Sequence, residues 1–522
     1  MNVDLLTIGL FVGTAVLYTL FIPGKWRGWF LFIVSVVAIY WLQTFTPLRF
    51  ADYLLQTITI LLAVLTWWVT RADRSMRPVR SDVITLLVLF GLVLLVAGNR
   101  YVAAEWRLTA SRPPSPLWVG GGLLLLIGVF GITWRWLRRV EQGKLCTAVI
   151  LLIILIFVLL KSPMLATAVA AQWRTLTGQQ ISLAAPSDLV WLGFSYVAFR
   201  LIHTLRDRQT GQLPSLSLRE FLTYVLFFPS YIAGPIDRVE RFVGDYREEG
   251  KRYSVFRIPY SVFRIPYSVF RIPYSVFRIP YSVTDHGLRI TDYGSRYWHG
   301  GTRILIGLFK KFVIADTLAL GMSLTAVNAQ QATSTFWLWL LLYGYALRLY
   351  FDFSGYTDIA IGIGILFGVT LPENFRRPYL ATNITAFWQR WHISLSDWAR
   401  FYVFSPLSRS LLRRKRRPSN NLILLAAHLS TMLVIGLWHG LTLNFFIWGL
   451  WHGLALFAHK QWSDRTRKWY RGLNEKRWQK KGWTAVTWLL TFNYVALGWV
   501  WFALPTPQLA LETFVKLLGL GV

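Results

Sequence analysis

The chain has 522 residues, of which 55% are hydrophobic, 16% aromatic and only 15% charged. Soluble globular chains carry about 25% charged residues, so a chain of this length with mean hydropathy +0.44 reads as a membrane protein. Its 27 Trp, 23 Tyr and 35 Phe exclude disorder, and a single cysteine, Cys146, excludes a disulfide framework and any multi-Cys metal site.

A transmembrane helix needs about 20 predominantly apolar residues. Runs of that kind occupy residues 5–23, 28–44, 53–70, 83–98, 117–134, 145–160 and 189–204. They do not alternate and are about twice the length of a barrel strand, so the fold is predicted to be all-α and polytopic. The odd-numbered connections are the basic ones: Lys25 and Arg27; Arg71, Arg74, Arg77 and Arg80; Arg135, Arg138, Arg139 and Lys144; then Arg206, Arg208 and Arg219. The positive-inside rule puts these in the cytoplasm and the N-terminus outside. The first apolar run lacks a basic n-region and a small-residue cleavage site, so no cleavable signal peptide is expected.

In the second half, spans are expected at 307–324, 336–350, 422–437, 441–458 and 484–502, with a short or amphipathic helix near 509–520. Segments 221–236, 353–369 and 385–410 are apolar but interrupted by Gly, Pro and charge. Irregular backbone at membrane depth must be satisfied by protein or a wet cavity. The reading is therefore about 11–13 spans plus re-entrant or interfacial helices around a central cavity. The basic run Arg413 to Arg417 and the segment 460–481 are read as topology determinants lying on anionic lipid, and the net charge of +31 is read the same way. No nucleic-acid partner is expected.

From Tyr253 the heptapeptide Tyr-Ser-Val-Phe-Arg-Ile-Pro occurs four times in succession. Pro259, Pro266, Pro273 and Pro280 exclude a continuous helix, and four such copies are too short for a stacked solenoid. Residues 253–294 are read as an expanded cytoplasmic insertion without a catalytic role.

Ionisable residues inside membrane segments are functional candidates by default. The candidates are His392, His428, His439 and His452, with Asp352 and Asp358. A near-neutral imidazole can take a proton from an alcohol and return it to a leaving group. The bland alternative for Trp438-His439-Gly440 is an interfacial turn, and for His428 and His452 it is packing or hydrogen bonding. No His-Glu-x-x-His zinc motif or Gly-x-Ser-x-Gly elbow occurs, so no metal is expected. Cys146 is read as a packing residue.

Several blocks occur together and in order: Phe228-Pro-Ser-Tyr-Ile-Ala-Gly-Pro-Ile-Asp-Arg238, Gly307-Leu-Phe-Lys-Lys-Phe-Val-Ile-Ala-Asp316, Phe351-Asp-Phe-Ser-Gly-Tyr-Thr-Asp358, Pro372-Glu-Asn-Phe-Arg-Arg-Pro-Tyr379, Phe387-Trp-Gln-Arg-Trp-His-Ile-Ser-Leu-Ser396 and Leu437-Trp-His-Gly440. Over about residues 221–459 the chain resembles the membrane-bound O-acyltransferase family, and within it the bacterial branch of alginate O-acetylases and teichoic-acid D-alanyl transfer proteins. The chain departs from that pattern in two places: Arg400 is followed by Phe401 and Tyr402 where the family has Asp-Tyr, and the repeat insertion lies between two of the blocks. The resemblance implies His439 as the principal catalytic residue and His392 as catalytic or substrate-positioning. Trp388, Trp391 and Trp438 are expected to wall the cavity, with Asn374 and Arg390 positioning or polarising substrate.

The resemblance further implies an acyl thioester co-substrate, acetyl-CoA or an acyl carrier protein, arriving from the cytoplasm, and no bound cofactor. The acceptor would be an exported polysaccharide or an extracytoplasmic acyltransferase acting as relay. Alginate-type O-acetylation is favoured; D-alanyl transfer, a transporter, or a subunit that only docks a periplasmic acyltransferase are the alternatives. The domain reading is N-terminal transmembrane helices at 1–205, a cytoplasmic loop and re-entrant segment at 206–252, the insertion at 253–294, the catalytic core at 295–460, and a basic loop with C-terminal helices at 461–522. The expected location is the cytoplasmic (inner) membrane.

Overall fold

In the computed structural model the residues described are 4–73, 78–249, 293–473 and 476–520; they form helices and turns, with no strand among them. The expected insertion lies almost wholly outside the described residues. Side chains mark where helices begin: Asp4, Ser115, Ser334, Ser419 and Thr506 each accept a backbone N–H of the first turn that follows. Among the described residues seven helices are long and apolar enough to cross a membrane: Gly24–Leu42, Ala51–Thr70, Arg80–Tyr101, Pro116–Trp134, Gln142–Lys161, Asn420–His439 and Arg477–Ala503. The fold is all-α and polytopic.

The interruptions read from sequence are real in two of three places. Residues 221–236 carry the short helix Leu218–Leu226 and a turn at Phe228–Ser230. Arg200, fully buried, satisfies that turn by donating to Val225 O and Ser230 O, both at 2.8 Å. Residues 385–410 break into Ile384–Trp388, Ile393–Ala399, a π turn at Arg400–Phe404 and Ser405–Leu412.

The third expectation is corrected. The segments 336–350 and 353–369 are one continuous helix, Thr335–Leu366. Its glycines act as contact surface rather than as breaks. A Cβ on Gly355 would stand 2.8 Å from Gly307 O, and one on Gly307 would stand 2.6 Å from Gly355 O. Only glycine lets the helix Tyr293–Leu308 lie this close. The charges that suggested a break are paired across that contact: Asp358 accepts from Arg303 at 2.7 Å and from Lys310 at 2.6 Å, and Asp352 accepts from Lys311 at 2.5 Å.

A second glycine contact builds the hairpin that carries the Trp-His-Gly segment. Gly449 faces Met432 O, at 2.8 Å from where its Cβ would be, and Gly436 faces Phe445 O. These contacts lock Asn420–His439 against Leu443–Leu473. The latter helix runs past the expected end at 458 into the basic segment, and an unexpected helix, Pro163–Leu176, follows Lys161.

Candidate functional site

His439 is the last residue of its helix, and Gly440 leaves it in an extended conformation. Its half-buried ring is enclosed by aromatic rings, with centroids 4.5 Å away at Trp438, 4.7 Å at Phe502, 5.7 Å at Phe445 and 5.9 Å at Trp448. This is protein interior rather than a lipid-facing belt. His392 and Lys161 are both within electrostatic reach of the ring.

His392 also packs on Trp438, 6.1 Å between centroids, and lies 4.7 Å from Phe353. It is buried, and its backbone is left-handed at φ 44°. That region disfavours residues with a Cβ and is occupied where surrounding structure enforces it, often at functional sites. The enforcement comes from Asn374, whose main-chain O accepts from Ile393 N at 2.9 Å. Its Oδ1 also accepts from Ser394 Oγ at 2.6 Å, and Ser394 Oγ in turn accepts from Ile236 N at 3.0 Å. Asn374 therefore ties three of the sequence blocks together around His392.

Among the described residues, both ring nitrogens of His392 and of His452, the indole Nε1 of Trp388, Trp438 and Trp448, and Asn374 Nδ2 are buried without a hydrogen-bond partner. Burying an unpaired polar atom costs about 1–3 kcal/mol, and native interiors hold few. Here they cluster: Trp448 stands 5.7 Å from Trp388, 4.8 Å from His452 and 5.9 Å from His439. These unpaired polar atoms are ones that a polar ligand could satisfy.

The structure thus brings together His439, His392, Trp438, Trp388 and Asn374. Trp391 packs one layer back, against Phe375, Phe387 and Trp499. Arg390 faces elsewhere: its guanidinium donates at 3.5 Å to Leu380 O. Asp352 and Asp358 belong to the ion pairs above. His428 packs on Phe404, and Cys146 is buried. Sequence reading missed Trp448 and Lys161; Trp448 had a signal, because it precedes His452 by four residues and so shares its helix face. On the other face of the Thr335–Leu366 helix a polar cavity of about 700 Å³ is lined by Asp4, Trp41, Gln43, Lys311, Arg348 and Asp352, among others.

A polytopic helical membrane protein with two histidines packed on one tryptophan among further aromatic rings is the class that fold and site define. Residues 144–497 match the family model described as MBOAT, the membrane-bound O-acyltransferase family, and the chain belongs to that family. It is 34% identical over 330 residues to the peptidoglycan O-acetyltransferase of Helicobacter pylori, covering 61% of this chain and 52% of that one. It is 33% identical over 315 residues to a probable alginate O-acetylase of Pseudomonas syringae, covering 60% and 49%. With a teichoic acid D-alanyltransferase of Streptococcus thermophilus the identity is 31% over 329 residues, covering 61% and 69%. The chain spans about half the length of the first two relatives.

Proposed function

We propose that this chain is an O-acyltransferase of the cytoplasmic membrane that moves an acyl group, acetyl in the favoured reading, from a cytoplasmic thioester to a hydroxyl on the outer side. The observation that carries the reading is the set of unpartnered imidazole and indole nitrogens beside His439, on the chain segments that match the family. The donor is acetyl-CoA or an acyl carrier protein; the acceptor is a polysaccharide hydroxyl or a relay acyltransferase. Relatives named for peptidoglycan and alginate O-acetylation support acetyl transfer to a polymer. The relative named for D-alanyl transfer keeps that reaction as the second reading.

His439 is the general base. It takes the proton of the acceptor hydroxyl as that oxygen attacks the thioester carbonyl carbon; the C–S bond then breaks and the proton passes to the leaving sulfur, giving ester and thiol. A thioester is already activated, so alignment and deprotonation suffice and no protein nucleophile is needed. His392, with no partner for either nitrogen, touches or orients substrate. Trp388, Trp438 and Trp448 exclude water that would hydrolyse the donor. Asn374 positions His392, and Trp391 backs the wall. The test is reconstituted full chain with labelled acyl thioester and acceptor. Loss of product of about 10³-fold or more in His439→Ala is expected, and wild-type yield from that variant would overturn the assignment. Movement of substrate without a covalent product would establish a transporter instead.

A further inference from the structure

Several interior cations in this fold meet a carboxylate. Arg27 donates to Glu249 at 2.6 Å, Arg174 to Asp188 at 2.9 Å, Arg303 to Asp358 at 2.7 Å and Lys311 to Asp352 at 2.5 Å. Lys161, near the base, does not. It is half-buried at the end of Gln142–Lys161, and among the described residues no carboxylate pairs with it; its ammonium has only the Phe157 ring, 5.8 Å away. Its position is fixed by backbone: Lys161 O accepts from Leu441 N at 3.1 Å, two residues past His439. The Lys161 backbone is thus held beside the turn that follows His439.

We propose that Lys161 is the acceptor-recognition residue: it receives a negatively charged group, carboxylate or phosphate, that the acceptor carries near the hydroxyl to be acylated. The proposal rests on the acyl-transfer reading above. Three observations carry it. A half-buried ionised group calls for a counter-charge, and among the described residues no carboxylate supplies one. The basic loops put the start of Gln142–Lys161, after Arg138 and Arg139, on the cytoplasmic side, so Lys161 ends the helix on the acceptor side and away from the donor. The bond to Leu441 then joins that end to the turn carrying the base. The ordinary alternative is a lysine stabilised by its helix C-terminus with its stem along apolar surface. That role would affect stability without regard to the charge of the acceptor.

The experiment uses the full chain in lipid nanodiscs and three oligosaccharide-sized acceptors of matched length: a hexuronic-acid oligomer, a glycerol phosphate oligomer and a neutral glucan. Lys161→Met is expected to raise KM for a charged acceptor about tenfold or more, with kcat and the glucan KM within about twofold. Lys161→Arg is expected to restore most of the loss. Whichever charged acceptor responds identifies the anion. An equal fall in kcat for charged and neutral acceptors, or no change in any KM, overturns the proposal. Equilibrium binding of the same oligomers to wild type, Lys161→Met and Lys161→Gln is measured in parallel. It needs no turnover, so a chain inactive with every acceptor would end the transfer reading while still deciding whether Lys161 selects anions.

Discussion

The residues around His439 divide by what they would lose on substitution. Trp448 is 1% exposed and touches two histidines and two tryptophans, so Trp448→Ala opens a cavity at the chamber wall. A cost of about 3–5 kcal/mol is expected from such a truncation, with water admitted beside the donor. The measurable outcome is a rise in hydrolysed thioester relative to acylated acceptor, read in detergent where the variant still folds. Trp448→Phe, which retains an aromatic ring while removing the unpartnered N–H, is expected to restore part of that ratio and part of the stability. Equal hydrolysis in wild type and Trp448→Ala would mean that the wall lies elsewhere. His439 and His392 were legible because their sequence blocks resemble a family, and their junction through Trp438 is half visible as the Trp438-His439 pair. Trp448 and Lys161 were not, because they reach the site from helices whose approach depends on tertiary packing. Arg390 looked like a site residue because it lies two positions before His392, but the chain turns between them and sends its side chain to Leu380.

At the scale of elements, small residues do more than Gly-based reading of breaks allows. The interrupted segments 221–236 and 385–410 were foreseeable, since Pro229, Pro235 and the polar run through Arg390 and His392 cannot continue an apolar helix. The Thr335–Leu366 helix was not foreseeable, because Gly355 and Gly362 look identical in sequence whether they break a helix or admit a neighbouring one. Their partners, Gly307 and Gly300, lie more than 40 residues away along the chain. Gly355→Val is therefore expected to force the two helices apart and disturb the Lys310–Asp358 pair, costing about 1–3 kcal/mol or more. The check is thermal unfolding of purified protein, with Gly9→Val as the comparison, because nothing stands within 4 Å of a Cβ at Gly9. Equal stability of the two variants would show that the glycine contact does not hold the helices together.

For the molecule as a whole, the repeat insertion interrupts the matched family region, yet the helices on either side of it pack as one body. The described residues on either side of 250–292 meet in a buried charge cluster. Glu249 accepts from Arg27 at 2.6 Å and from Arg296 at 3.0 and 3.1 Å, with all three side chains nearly inaccessible. Arg27 begins the second helix of the chain and Arg296 lies in the first turn after the insertion, so one carboxylate ties the N-terminal helices to the core across the inserted stretch. Two expectations follow from that geometry, of opposite sign. Removing residues 253–266, two whole heptapeptides, leaves both anchor points in place and is expected to change acyl transfer less than about twofold and stability less than about 0.5 kcal/mol. Glu249→Gln leaves two buried guanidinium groups short of their counter-charge and is expected to cost about 3–5 kcal/mol, read as a lowered melting temperature and reduced membrane yield. If the deletion abolishes transfer while the protein still folds, the insertion has a part in the reaction, and the separation of scaffold from repeat argued from Glu249 is wrong.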